Sequence, residues 1–237
     1  MERLDKILAG TGRWSRREVK ELVRQGRVRV DGQTARTAEE KVDPEAAAIT
    51  VDGQPVETER FAYVMLHKPA GVLSATEDTQ QQTVLDLLPG ELRRRGLSPV
   101  GRLDKDTEGL LLLTNDGLLA HRLLAPRSHV DKVYYARVEG ALEPADAAAF
   151  AAGMTLGDGL ECLPAGLEIL SSGECLVTLR EGKFHQVKRM LAARGAPVLY
   201  LKRLSMGPLA LDGTLAPGAF RELTAEETAA LRAAARL

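Results

Sequence analysis

The sequence predicts an α+β protein in which a small N-terminal unit precedes a larger domain with a largely antiparallel mixed sheet flanked by helices. Its strand-like and helix-like segments do not alternate regularly, as they would in a doubly wound fold. Asp-Gly pairs after short β-branched runs favour tight hairpins. The basic residues are concentrated near the N-terminus, and 237 residues suit a small domain joined to a medium one.

Residues 1–60 read as one compact unit. Ser15 and Glu18 form a capping box that opens a helix, and Gly26 stands where a C-cap glycine would end it. The alternating segment 27–30 predicts a strand, followed by an Asp-Gly turn, and a related pattern recurs at 49–53. A few short helices and strands of this kind favour a small RNA-binding module.

A basic patch is hidden by the neutral total charge of −1. Residues 1–36 hold ten Lys or Arg and five Asp or Glu, whereas residues 37–60 hold two and seven. Phosphates respond to such local patches, although isolated helix charges are commonly only solvated. The candidate RNA contacts in this unit are Arg3, Lys6, Arg16, Arg17, Lys20, Arg27 and Arg29.

Beyond a polar linker at 57–60, the larger domain at 61–237 contains apolar runs typical of buried strands and segments with helical patterning. We predict strands at 63–66, 110–113, 133–138 and 175–179, and helices near 118–124, 144–153, 186–194 and 224–236.

The most informative segment is 101–117, a charged, glycine-flanked loop that runs directly into an apolar strand. This arrangement places the Asp104 carboxylate at a sheet edge, where rigid support and solvent access meet. From the residues alone, a local turn role for Asp104 is the commoner outcome. Asp106 is an alternative candidate for the same role, because it lies on the same loop close to Asp104.

Segment 101–117 resembles the signature motif of the pseudouridine synthases, and residues 132–134 and 181–190 resemble that family's second and third motifs. The resemblance implies that Asp104 is catalytic, that Tyr134 lies against the target base, and that Lys188 holds the carboxylate charged and oriented. Many relatives carry arginine at the Lys188 position, so adjacent Arg189 is an alternative partner. Residues 1–60 resemble the S4 domain, an RNA-binding module.

The resemblance therefore implies isomerisation of a uridine in ribosomal RNA. Ser128-His129 and segments 185–190 and 215–218 resemble the branch that acts on 16S RNA, of the uridine-516 type. The same reaction on 23S RNA is one alternative, and a non-catalytic RNA-binding or ribosome-assembly protein is another. Near the catalytic loop, the expected RNA contacts are Arg102, His185 and Arg189.

The reaction involves no redox change, and no metal-ligand pattern is present, so no cofactor or metal is expected. The two cysteines, Cys162 and Cys175, are not expected to form a disulfide. Without a secretory signal or a long apolar run, we expect a cytoplasmic monomer with no membrane contact. Its expected partner is 16S RNA, naked or within a partly assembled small subunit.

Overall fold

The computed structural model describes residues 1–58, 61–125 and 130–237. These residues form two compact units. The first comprises Met1–Ala62 and Leu88–Ser98, and the second comprises Tyr63–Leu87 and Pro99–Leu237. The chain first passes from one unit to the other after Ala62, near the boundary at residue 60 that the sequence predicts between the two domains.

The membership of Leu88–Ser98 in the N-terminal unit differs from the expectation that everything after residue 60 belongs to the larger domain. The segment holds a short helix whose Arg94 Nε donates to the Gly12 carbonyl at 2.6 Å. Gly12 has a φ of +77°, and a Cβ there would lie 2.0 Å from the Glu91 carbonyl oxygen. Such close backbone packing between residues far apart in the chain leaves no local signature in the sequence.

The helices and strands follow one another without regular alternation, as expected for an α+β chain. The helices are α1 Leu4–Gly10, α2 Arg16–Arg24, α3 Gly90–Arg94, α4 Gly117–Leu124, α5 Pro144–Ala152, α6 Gln186–Ala193 and α7 Ala225–Ala234. The strands are β1 Glu2–Arg3, β2 Val28–Val30, β3 Gln33–Thr34, β4 Lys41–Val42, β5 Ile49–Val51, β6 Gln54–Pro55, β7 Tyr63–Lys68, β8 Ser98–Pro99, β9 Glu108–Thr114, β10 Lys132–Val138, β11 Met154–Thr155, β12 Glu161–Cys162, β13 Gly166–Ser171, β14 Glu174–Leu179, β15 Val198–Met206, β16 Leu209–Ala210 and β17 Phe220–Glu222.

The N-terminal unit follows its local signals closely. The capping box at the start of α2 is present, because Ser15 Oγ accepts from Glu18 N and Glu18 Oε2 accepts from Ser15 N. Gly26 follows α2 with a φ of +72°, the left-handed conformation that glycine adopts without steric cost. The β2 and β5 strands pair antiparallel, and the apolar faces of the helices and strands form one buried cluster.

The second unit is organised by a sheet with the strand order β13-β14-β10-β15-β9-β7-β17. The β15–β9 pair is parallel, and the other neighbouring pairs in this order are antiparallel. The predicted fold class, a largely antiparallel mixed sheet with helices, is therefore confirmed. The parallel pair brings β15, a strand that the sequence analysis did not predict, against the start of the strand that follows Asp104.

The buried core of this unit lies on the central strands. Leucines 110–113 on β9 are all fully buried, as are Met65 and Leu66 on β7. Cys162 and Cys175 are buried and unbonded to each other. Within the described ranges, no helix is both long and apolar enough to span a membrane.

Candidate active site

A cavity of about 580 Å³ opens in the second unit, next to the loop that precedes β9. The cavity is lined by Asp104 and Arg102 from this loop, by Tyr134 from β10, and by His185 from the segment before α6. Lys188 lines a smaller adjoining cavity of about 70 Å³ together with Asp104 and Tyr134. The structure thus brings together residues from all three predicted motifs.

The Asp104 carboxylate lies between two basic side chains. Its Oδ2 is 3.2 Å from Lys188 Nζ, and its Oδ1 is 3.5 Å from His185 Nε2. Lys188 also contacts the neighbouring carboxylate, with Nζ 2.5 Å from Asp106 Oδ1. Both oxygens of Asp104 consequently have a basic neighbour, which restricts rotation of the carboxylate.

The two aspartates of the loop differ in their surroundings. The side chain of Asp104 is 25% exposed, whereas that of Asp106 is 75% exposed. The hydrogen bond from Lys188 lowers the pKa of Asp106 below its ordinary value. Asp104 lines both cavities, and the described lining of neither one includes Asp106. The geometry therefore separates the two aspartates that the sequence left as rivals.

Lys188 and Arg189 are adjacent on α6 but contact different acids. Arg189 Nη2 lies 2.5 Å from Asp158 Oδ1, so its charge is directed away from Asp104. Successive residues of a helix project about 100° apart, and only one of the pair faces the loop. The residue that reaches Asp104 is Lys188.

The backbone of the loop is held from below by Lys68, the last residue of β7. This side chain is fully buried, and its Nζ donates to the carbonyl oxygens of Pro69, Asp104, Lys105 and Thr107 at 2.9–3.2 Å. Burial lowers the pKa of Lys68 to about 8 despite the attraction of nearby acids. The sequence predicted a strand at 63–66 that ends just before Lys68, and nothing local indicates this carbonyl cage.

Further bonds fix the loop at both ends. Ser74 Oγ donates to the Leu103 carbonyl at 2.8 Å and accepts from Leu103 N at 3.0 Å. Gly71 N donates to the Lys105 carbonyl at 2.7 Å. Because several backbone groups on either side of Asp104 are bonded, the position of its carboxylate is determined before any ligand arrives.

The floor of the cavity is aromatic and cationic. Tyr134 is 8% exposed and pairs in register with Arg203 of β15. Arg203 is 1% exposed, and its Nε donates to the Leu110 carbonyl at 2.8 Å. Lys132 is also buried, and its pKa is lowered first by desolvation and then by the charge of Arg203. Arg203 was not predicted from the sequence, and Lys132 was included only as the start of the second motif, because charged residues in strands are ordinarily exposed.

The segment before α6 is rigidified by Gln186, which is 3% exposed. Its Nε2 donates to Glu181 Oε1 at 2.6 Å, and its Oε1 accepts from Lys183 N at 3.0 Å. His185 adopts a φ of +50°, which is uncommon for a residue other than glycine. This conformation turns the chain into α6 and places the His185 ring beside Asp104.

The candidate RNA contacts of the N-terminal unit fall into two groups. The first group forms ion pairs with carboxylates of the same unit: Arg3 with Asp5 and Glu39, Lys6 with Glu2, Lys20 with Glu39, and Arg27 with Asp52. The second group makes no ion pair with another described residue and consists of Arg16, Arg17 and Arg29. The unpaired group carries the positive charge most available to a phosphate.

Chemically, the site offers a fixed carboxylate, two basic groups beside it and an aromatic ring on the cavity floor. Carboxylates act as nucleophiles or as general bases when they are positioned against a substrate. Throughout the described parts of the chain, no group of three or more His, Cys, Asp or Glu is placed to hold a metal ion. Ser128 and His129, which supported the 16S branch, lie outside the described residues.

Comparison with known proteins matches both units. Residues 62–193 match the family model of RNA pseudouridylate synthases, and residues 2–47 match that of the S4 domain. A solved pseudouridylate synthase structure aligns with a TM-score of 0.69 and 34% identity, covering 98% of this chain and 100% of the other.

Several curated relatives align over nearly their whole length. A Bacillus subtilis protein named as an uncharacterized RNA pseudouridine synthase is 52% identical, over 95% of this chain and 96% of its own. The ribosomal small subunit pseudouridine synthase A of Pseudomonas aeruginosa is 44% identical, over 95% of this chain and 98% of its own. The protein of the same name from Vibrio cholerae is 40% identical, over 97% of this chain and 99% of its own.

Proposed function

The chain belongs to the RNA pseudouridylate synthase family, and from this premise we propose that it converts one uridine of 16S ribosomal RNA to pseudouridine, with Asp104 as the catalytic residue. Family membership makes the chain an isomerase that acts on RNA, which sets aside the non-catalytic alternative. The 16S assignment is supported by relatives named as small-subunit enzymes. Within 16S RNA, the proposed target is of the uridine-516 type.

The observation that carries the catalytic assignment is the placement of Asp104. Its carboxylate lines the cavity, stands between Lys188 and His185, and belongs to a loop whose backbone is bonded on both sides. A nucleophile or base that is already oriented loses little entropy when the substrate binds. Asp106 lacks the cavity position, although it shares the Lys188 contact.

The chemistry requires few groups. The N1–C1′ bond of the uridine breaks, the uracil turns, and a C5–C1′ bond forms while C5 loses a proton and N1 gains one. Asp104 serves this sequence either by adding to C1′ as the N1–C1′ bond breaks and leaving again as the C5–C1′ bond forms, or by removing the proton from C2′ as the N1–C1′ bond breaks and returning it as the C5–C1′ bond forms. Tyr134, on the cavity floor, would pack against the extruded base and keep water away from it. Lys188 would orient the carboxylate throughout.

The proposed RNA contact of the N-terminal unit follows from its unpaired cations, Arg16, Arg17 and Arg29. Each phosphate contact releases counterions, so losing contacts flattens the dependence of binding on salt. We expect Arg16→Gln with Arg17→Gln to lower that slope by about 2. Arg27→Gln is the matched control, because Arg27 is already neutralised by Asp52. Equal slopes for the double variant and wild type would contradict this contact surface.

The deciding experiment compares wild type, Asp104→Asn and Asp106→Asn. Pseudouridine is mapped in unmodified 16S and 23S RNA after incubation with each pure protein. We expect one new pseudouridine in 16S RNA, none with Asp104→Asn, and reduced but measurable turnover with Asp106→Asn. Asn retains the shape of the side chain, so both variants should fold and bind RNA. Modification of 23S RNA alone would overturn the 16S assignment, and an active Asp104→Asn would overturn the catalytic one.

A further inference from the structure

Phe184 is a large, solvent-exposed apolar side chain at the candidate active site. It is 72% exposed, and among the described large hydrophobic residues only the terminal Met1 is more exposed. Single exposed apolar residues are ordinary on protein surfaces. Phe184 is distinguished by its position, because it lines the same cavity as Asp104 and Tyr134.

One face of the Phe184 ring is already covered. The ring stacks on His185 with 3.8 Å between ring centroids and an angle of 18° between the planes. Since the residue is nevertheless largely exposed, the opposite face of the ring remains open to solvent. A flat, fixed aromatic surface with one free face suits a second planar ring, because little side-chain freedom remains to be lost on stacking.

The stack is linked to the candidate catalytic carboxylate. His185 holds its left-handed backbone conformation while its ring touches Phe184 on one side and its Nε2 lies 3.5 Å from Asp104 Oδ1. A non-glycine residue in this conformation is strained, and such residues cluster at functional sites. Glycine at position 185 would relieve the strain but would remove the ring that joins Phe184 to Asp104.

The position of Tyr134 in the same cavity indicates which RNA base can stack on the free face of the Phe184 ring. Tyr134 is 8% exposed on the cavity floor and is the proposed neighbour of the target base, so a base on Phe184 remains at the rim. The exposed cations Arg102 and Lys105 line the same cavity and suit the phosphates of the strand. Bases stack on aromatic side chains with little dependence on sequence.

We propose that Phe184 is a stacking platform for the base of a nucleotide directly adjacent to the target uridine. This inference rests on the proposed function, in that an RNA strand must enter the cavity. It assigns Phe184 a positioning role: holding the neighbouring base outside keeps the extruded uridine aligned with Asp104. A lost stack should weaken substrate binding about 5- to 150-fold, the factor that corresponds to 1–3 kcal/mol per base.

The test uses a ribosomal RNA fragment that wild-type protein modifies, with 2-aminopurine placed one nucleotide 5′ of the target, one nucleotide 3′, or six nucleotides away. The fluorescence of 2-aminopurine falls when it stacks. We expect quenching at one adjacent position and none at the distant one. Phe184→Ala should abolish the quenching and raise KM by the stated factor. Phe184→Tyr should retain the quenching and the wild-type KM. The control Leu199→Ala removes an apolar residue that is 68% exposed and outside the described lining of this cavity.

The two proposals fail in different ways. Turnover on 23S fragments instead of 16S fragments overturns the 16S assignment, and the stacking test then proceeds on the modified fragment. If neither RNA is modified, the proposed function fails and the platform fails with it, whereas modification without quenching overturns the platform alone. Absence of quenching at both adjacent positions, or an effect of Leu199→Ala equal to that of Phe184→Ala, overturns the platform.

Discussion

Replacement of Lys68 by methionine should loosen the catalytic loop without altering its sequence. Methionine has a similar length and no N–H donors, so the carbonyl oxygens of Pro69, Asp104, Lys105 and Thr107 would lose their shared partner. Lys68 is fully buried, and water cannot readily replace the missing donors. We expect both a loss of stability and a fall in turnover.

The magnitude of the stability loss can be estimated from two opposing effects. Hydrogen bonds to a charged group contribute about 1.5–3 kcal/mol each, and the ammonium shares three N–H donors among the four carbonyl oxygens, so about 4.5–9 kcal/mol is lost. Removing the ammonium also relieves its desolvation, which lowers the pKa of Lys68 from 10.5 to about 8 and corresponds to about 3 kcal/mol. The bonds outweigh the desolvation, and a net destabilisation of about 1.5–6 kcal/mol is expected.

The pH dependence provides an independent check on Lys68. Because its folded pKa of about 8 lies below the unfolded value, the unfolded chain binds more protons between about pH 8 and 10.5. This group therefore makes the free energy of unfolding rise with pH in that window. Turnover should instead fall as pH rises through about 8, because a neutral amine has two N–H donors for four carbonyl oxygens. Lys68→Met should lack both effects.

The assay combines urea unfolding, followed by circular dichroism, with single-turnover rates and RNA affinity. A loop displaced by about 1 Å costs on the order of 100-fold in rate, so turnover should fall by that factor while affinity changes little. Lys105→Met, on the exposed part of the same loop, is the stability control. Unfolding of Lys68→Met within about 0.5 kcal/mol of wild type, roughly the range of neutral surface substitutions, or normal turnover of this variant would refute the role of Lys68 in holding the loop.

Two further predictions concern Lys188 and the start of β9. Lys188→Met should raise the pKa of Asp106 toward its ordinary value, measured by NMR titration of the carboxyl carbons, and should lower turnover. Lys188→Arg should preserve the lowered pKa and the turnover. An unchanged pKa of Asp106 in Lys188→Met would contradict the contact. Gly109→Ala should destabilise the protein by more than about 3 kcal/mol in thermal or urea unfolding, since φ is +109° and the new Cβ would lie 2.2 Å from the Arg203 carbonyl oxygen. Gly213→Ala, with open space around it, is the control, and equal unfolding of the two variants would disprove the clash.

Sequence alone determined those features that depend on neighbours along the chain. The capping box of Ser15 and Glu18, the glycine after α2 and the Asp-Gly turns at 31–32 and 52–53 are local arrangements, and each has the predicted conformation. The apolar run on β9 likewise predicted a buried strand correctly. The three motifs, in their order along the chain, were sufficient to indicate the family.

Tertiary structure alone decided which of these residues meet. It placed Lys188 rather than Arg189 against Asp104, because the rotation of α6 is set by packing of its apolar face and not by the two charged residues themselves. It also buried Lys68 beneath the loop and paired β15 in parallel with β9. Contacts between residues far apart in the chain depend on complementary surfaces that form only when the sheet assembles, and no local pattern encodes them.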